Sequence, residues 1–266
     1  MTDTTSDSVR HRREGHVAVL SIERPERMNA LSPEVFARLR ALLDDCEADA
    51  GVRCVILTGS GRAFCSGQDL GADLPRRDDG SIDIGAILER DYNPLVLRLR
   101  DYPKPVIAAV NGAAVGAGAN LALACDIVLA ARSAYFQQAF VRIGLMPDAG
   151  GTWLLPRIVG AKRAMALMLT ADPVPAEEAE RLGLAYKVFD DESFHAESMA
   201  FAARLAAGSL PAMRAVKAAL ASALESDLAT QLDRERDLQS ALGATSDFRE
   251  GVAAFKEKRA PTFTAS

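Results

Sequence analysis

Pro105-Val106-Ile107-Ala108-Ala109-Val110-Asn111-Gly112-Ala113-Ala114-Val115-Gly116-Ala117-Gly118-Ala119-Asn120-Leu121-Ala122-Leu123-Ala124-Cys125 is a run of 21 residues without a charge. Its length suits a membrane-spanning helix, and Gly112 and Gly116 supply a G-x-x-x-G pair. The content argues otherwise. Asn111 and Asn120 would lie inside the bilayer, Asn111-Gly112 is a strong turn signal, and most of the side chains are small. The run reads instead as a buried strand (Val106 to Val110), a turn, and a compact helix from about Gly116. No membrane partner is expected.

The same cadence extends to both sides. His16 to Ile22 suits a first strand, closed by the charged turn Arg24-Pro25-Glu26-Arg27. Ser32-Pro33 opens a helix: serine caps free amides, proline fits the first helical position, and Val35, Phe36, Leu39, Leu42 and Leu43 keep a helical period. Val52 to Leu57 and Asp126 to Ala130 read as strands buried on both faces, and Tyr186 to Phe189 as the last strand. Residues 71 to 85, with Arg76-Arg77-Asp78-Asp79, read as a mobile surface loop before a helix over Ile87 to Arg100. The 71 to 100 region is expected to supply the walls of any substrate pocket.

This repetition predicts an α/β core of stacked ββα units over residues 10–195, although a doubly wound sheet fits the pattern equally. From about Ser193 the pattern is helical: Phe194 to Ala207, Pro211 to Ala223, Asp227 to Leu242 and Ser246 to Lys258. The helical region 196–266 is too thin to bury its own apolar stripes, so it is expected to pack on a neighbouring subunit.

Composition narrows the function. The 266 residues are 49% apolar and 25% charged, as in an ordinary globular protein. With 31 Lys plus Arg against 36 Asp plus Glu the net charge is −5, which argues against a general nucleic-acid binder. Cys46, Cys54, Cys65 and Cys125 form no C-x-x-C pair and read as reduced core thiols. His11, His16 and His195 stand outside every unusual segment, leaving almost no material for a histidine triad or a zinc site. Met1 to Val9 is polar, with no apolar stretch of an export signal, so a cytoplasmic location is expected.

Three segments carry unusual content: Arg62-Ala63-Phe64-Cys65-Ser66-Gly67-Gln68-Asp69-Leu70, Asn111 to Asn120, and Gly144-Leu145-Met146-Pro147-Asp148-Ala149-Gly150-Gly151-Thr152. Small-residue loops after buried strands let backbone N–H groups converge on one anionic oxygen, although tight helix-to-sheet packing would also call for them. Gly116-Ala117-Gly118 lacks the third glycine of a dinucleotide loop, and no P-loop lysine exists. Asp148 lies in an apolar, turn-rich setting, where burial raises a carboxylate's pKa and suits it to moving protons. The alternative is that Asp148 caps a helix beginning near Thr152.

The ordered patterns R-x-F-C-S-G-Q-D-L, N-G-x-x-x-G-A-G-x-x-L-A-L-A-C-D and G-L-x-P-D-x-G-G-T resemble the crotonase (enoyl-CoA hydratase/isomerase) superfamily. The similarity runs from about Gly15 to Phe263. Within it, Tyr92-Asn93-Pro94-Leu95-Val96, Asp148 to Arg157 and Arg249-Glu250-Gly251-Val252 look most like the ring 1,2-epoxyphenylacetyl-CoA isomerase branch. The resemblance implies a crotonase-type ββα spiral core with an α-helical C-terminal trimerisation region, assembled as a homotrimer or a dimer of trimers. It also implies an acyl-CoA thioester substrate, with no cofactor beyond the coenzyme A that the substrate carries.

By the same resemblance, the backbone amides of Ser66 and Ala117 form an oxyanion hole. Main-chain groups near Met28 and Phe64 face the adenine, and Phe255 and Lys258 of a neighbouring subunit cover the adenine and 3′-phosphate end. Hydratases of the family carry glutamates where this chain has Asn120 and Phe140 in the substrate pocket, and neither residue can ionise. Asp148 matches the aspartate of the family's isomerases and dehalogenases, and no histidine stands near it to activate water. The reading is an acyl-CoA isomerase, from ring epoxide to oxepin, with a Δ3-to-Δ2 double-bond shift as a second activity. A hydratase-like enzyme and a non-catalytic CoA-ester-binding scaffold are the alternatives.

Overall fold

The computed structural model describes residues 8–223 and 225–264. Most of the polar leader read above lies outside them. In chain order the regular elements begin with β1 (Val9–Glu14), β2 (Val17–Ile22), α1 (Pro33–Ala48), β3 (Cys54–Gly59), β4 (Ala63–Cys65), α2 (Ile84–Ile87) and α3 (Asn93–Arg100). Then come β5 (Val106–Val110), β6 (Ala113–Val115), α4 (Ala117–Ala124), β7 (Ile127–Ala131), β8 (Tyr135–Gln137), α5 (Gly151–Val159), α6 (Ala161–Thr170), β9 (Val174–Pro175), α7 (Ala176–Leu182) and β10 (Lys187–Phe189). Helices α8 (Phe194–Ala206), α9 (Leu210–Ala223), α10 (Leu228–Gly243) and α11 (Ser246–Glu257) complete the chain.

The uncharged run is split as its turn signal requires, into β5, β6 and α4. Among the described residues no helix is long and apolar enough to cross a membrane. All eight residues of α4 are buried, which small side chains permit. A Cβ on Gly118 would lie 2.2 Å from Cys65 O, so the helix docks on β4 only because glycine stands there.

Two sheets alternate along the chain. The larger has the order β1-β2-β3-β5-β7-β10, and the smaller β4-β6-β8-β9. Only the β1–β2 and β8–β9 pairs are antiparallel. Each of β3/β4, β5/β6 and β7/β8 sends its first strand to the large sheet and its second to the small one. That is a ββα spiral, and it excludes the doubly wound alternative, in which successive strands share one sheet. The core lies between the sheets and the helices, with Ile56, Ile107, Phe36 and Tyr102 buried. Serine caps α1 as read: Val35 N–H donates to Ser32 Oγ. All four cysteines are free and buried.

The helical run does begin near residue 193, yet the core does not end there. Helix α8 packs on β2, β3 and β7, and Arg53 fastens its end by donating from Nε to Ala206 O at 2.7 Å and from Nη2 to Gly208 O at 2.8 Å. The composition shift therefore marks a change of secondary structure, while α10 buries no residue within this chain. Residues 71–83 are irregular but closed by an Arg76–Ile82 bridge, and Leu74 enters the core. The expected helix over 87–100 is broken into α2, a π turn (Leu88–Tyr92) and α3. Pro94 has no N–H to donate back to Arg90, which accounts for a widened turn at that point.

Candidate active site

A cavity of about 220 Å³ opens where α4, the loop after β4, and the 84–92 segment meet. A single water needs only roughly 10–15 Å³, so this is a binding space and not a packing defect. Ile84, Ile87, Leu88, Phe140, Ile143 and Leu145 form apolar wall, while Ser66, Gln68, Tyr92 and Asp148 bring the polar side chains. The walls from 84 to 92 come from the region the sequence reading assigned to them.

Ala117 is the first residue of α4, where no helical acceptor exists for its N–H. The preceding Gly116 has φ +56 and its own N–H goes to Gln137 O at 2.7 Å. Ala117 thus lines the cavity, and its N–H has no backbone partner among the described residues. Ser66 differs. Its N–H already donates to Met28 O at 3.0 Å, and an amide engaged in a backbone bond is not a free oxyanion donor. An amide without a partner on this loop, next to the Ala117 helix, belongs to Gln68, two residues on: Gly67 O and Asp69 N bond Leu31 on either side, and Gln68 N bonds nothing among the described residues. Gly67, at φ +92, turns the chain to expose it. A Cβ on Gly67 would lie 3.4 Å from Ala117 N, so the two loops touch at this point. The free amides at this junction are therefore those of Gln68 and Ala117, and the expected Ser66 amide is not among them.

Asp148 faces the same cavity. The capping alternative fails: α5 has Gly150 at its N-cap and no side-chain cap bond. Its Oδ1 is buried without a hydrogen-bond partner among the described residues, and burial pushes the carboxyl up from 3.8 to about 6. Ala149 at φ +48 and Gly150 at φ +80 make the sharp turn that follows it.

Asn120 corrects a second expectation. It is fully buried and does not line the cavity. Its Nδ2 donates to Asp148 O at 2.8 Å and its Oδ1 accepts from Gln138 Nε2 at 2.8 Å. Gly151 N–H also donates to Asp148 O, at 2.8 Å. Two donors on one carbonyl fix the peptide from which the carboxylate projects. Asn120 holds the acid in place, and a Cβ on Gly151 would lie 2.3 Å from its Nδ2. Phe140 does line the cavity, 6% exposed.

Met28 and Phe64 lie off the cavity. Met28, half-buried at φ +52, joins the loop through its bond from Ser66, and the Phe64 side chain is sealed in the core, so only main chain there could meet a ligand. Phe255 and Lys258 also lie away from it, both exposed, on and just after α11.

Two main-chain N–H groups without a backbone partner, one carboxylic acid with a raised pKa and apolar walls thus come together on a ββα spiral, an arrangement that can hold negative charge on a carbonyl oxygen and move a proton beside it. Residues 12–266 match the family described as Enoyl-CoA hydratase/isomerase. The "Probable enoyl-CoA hydratase" of Rhodobacter capsulatus is 51% identical over 251 residues, covering 93% of this chain and 94% of that one. The "1,2-epoxyphenylacetyl-CoA isomerase" of Escherichia coli K12 is 48% identical over 248 residues, covering 93% and 95%. The crystal structure of an enoyl-CoA hydratase from Bacillus anthracis superposes with a TM-score of 0.89 at 32% identity, covering 97% and 100%. The chain belongs to the enoyl-CoA hydratase/isomerase family, the crotonase superfamily.

Proposed function

We propose that this protein is an acyl-CoA isomerase acting on 2-(1,2-epoxy-1,2-dihydrophenyl)acetyl-CoA, which it converts to the oxepin isomer. The observation that carries the reading is the composition of the cavity wall. Among the described residues that line it, Asp148 is the one group suited to exchange a proton near neutral pH, and the positions where hydratases of the family carry glutamates hold Phe140 on the wall and Asn120 behind it. Adding water calls for a group to activate it and a group to protonate Cα; moving a proton within one molecule calls for a single acid.

In this mechanism the thioester oxygen accepts from Gln68 N–H and Ala117 N–H. The ionised Asp148 removes a proton from Cα, and the negative charge passes to the thioester oxygen, where the two donors hold it. The three-membered ring opens to the seven-membered oxepin with its oxygen bound to the same two carbons, and Asp148 returns the proton to a ring carbon. No atom enters or leaves. A Δ3-to-Δ2 shift of an enoyl-CoA needs the same proton movement and is expected as a second activity. Phe255 and Lys258 of a neighbouring subunit are proposed to meet the nucleotide end of coenzyme A. The apolar side chains that α9, α10 and α11 leave exposed support the homotrimer, or dimer of trimers, that this arrangement requires.

Turnover against a panel of acyl-CoA thioesters tests the reading. The ring epoxide is expected to react fastest and a Δ3-enoyl-CoA more slowly. Hydration of crotonyl-CoA is expected to fall about 10² or more below the isomerisation rate. Efficient hydration by the unaltered enzyme overturns the argument from Asn120 and Phe140.

The pH profile follows from Asp148. Its base form takes the first proton, so kcat/KM is expected to be level above about pH 6 and to fall roughly tenfold per unit below it. A profile that is flat down to pH 4.5 would separate Asp148 from the chemistry.

A further inference from the structure

One polar side chain on the cavity wall has no part in moving the proton. Tyr92 ends the π turn and is 3% exposed. Its ring stands edge-on to Phe36, with centroids 4.6 Å apart and planes inclined by 70°, which holds it in one orientation. Its hydroxyl donates to Gln68 Oε1 at 3.1 Å. That is longer than the roughly 2.7–2.8 Å usual between two oxygens, so the bond is weak and the hydroxyl hydrogen can rotate away. Gln68 does not depend on it, since Nε2 lies 3.3 Å from both Leu31 O and Asp69 O. Burial above all, with the charges of Cys65, Asp148 and Asp91 adding to it, raises the Tyr92 pKa, and the phenol stays a neutral donor.

The proposed substrate gives such a donor a task. A six- or seven-membered ring attached through one carbon looks much the same from either edge, and its oxygen is what breaks the symmetry. Walls made by Ile84, Ile87, Leu88 and Phe140 cannot sense that difference. The proton must return to the ring carbon next to the attachment point on the side away from oxygen. With the ring turned over, that carbon faces away from Asp148.

From this geometry we infer that Tyr92 is a specificity-determining residue: its hydroxyl exchanges Gln68 for the ring oxygen of the acyl group and so fixes which ring edge meets Asp148. The inference rests on the ring-epoxide reading, and its test is independent of turnover. Tetrahydropyran-2-ylacetyl-CoA and cyclohexylacetyl-CoA are matched in size and differ by one oxygen in place of a methylene, and neither has a double bond to shift. Calorimetry on wild type and Tyr92→Phe gives four dissociation constants. The preference for the oxygen ring is expected to fall about 10-fold in the variant, with binding of the carbocycle unchanged. Equal weakening on both ligands would mean that Tyr92 merely supports Gln68, and an unchanged preference would mean that the oxygen is not sensed there; either result overturns the inference. Failure of the wild type to turn over the ring epoxide, measured alongside, overturns the substrate reading alone.

Discussion

Asp148→Asn keeps its affinity for acyl-CoA thioesters and loses about 10² or more in kcat, because the amide cannot accept the proton from Cα. The surroundings of the acid make this substitution informative. Oδ1 has no partner among the described residues, so an amide of the same shape breaks no hydrogen bond at that atom, and the peptide remains fixed by Asn120 and Gly151. Steady-state turnover combined with calorimetric binding separates the two effects. Near wild-type turnover with intact binding would remove Asp148 from the mechanism.

The same variant carries a stability signature. The carboxyl's pKa is raised from 3.8 to about 6 by folding, so the folded state binds the proton more tightly than the unfolded chain does. Ionisation between pH 3.8 and about 6 therefore weakens the fold, and above about 6 the weakening is complete. Asparagine removes it. The variant is expected to be more stable than wild type at pH 8, by something on the order of 2 kcal/mol, and indistinguishable from it below pH 4. Thermal unfolding at the two pH values measures this. A stability difference independent of pH would contradict the burial cost assigned to Asp148.

Ala117→Pro is expected to lower kcat by roughly 10²–10³, the range for loss of one oxyanion donor. Position 117 is the first of α4, where proline fits the helix and its missing N–H removes no helical bond. Gly116 has no Cβ to clash with the proline ring. The substitution therefore deletes a donor while leaving the helix standing, which circular dichroism checks. Ala117→Gly, which keeps the N–H, is the control and should retain most of the activity. If the proline variant turned over like wild type, the thioester oxygen would have to sit elsewhere.

The central strand-turn-helix was legible because its signals are local: Asn111-Gly112 marks a turn whatever surrounds it. The short strands of the second sheet were not. β4, β6 and β8 have three residues each, too few to show alternation, and β4 and β6 lie in segments whose glycines read as loop. Their partners are tens of residues away, so their pairing appears only once the spiral closes.

The oxyanion hole shows the same divide on a smaller scale. Both loops are announced by their glycines, yet the amide expected to be free on the first, Ser66, is bonded, and a free one lies two residues on. In the structure these two free amides each follow directly on a glycine with positive φ, Gln68 after Gly67 and Ala117 after Gly116. A glycine in that conformation turns the next N–H out of the ladder. Residue type permits that turn, but the bond from Ser66 to Met28 decides which amide is left over, and Met28 is 38 residues away.

Sequence by itself determined an α/β core, the two glycine-bearing loops, and Asp148 as a carboxyl in an apolar, turn-rich setting, because each depends on residue chemistry or on near neighbours. Tertiary structure alone decided that Asn120 steadies Asp148 from behind the wall, that Gln68 rather than Ser66 has its amide free, and that Tyr92 lines the cavity. Those are facts of long-range contact, set by how the two sheets and α4 close on one another, and no local pattern encodes them.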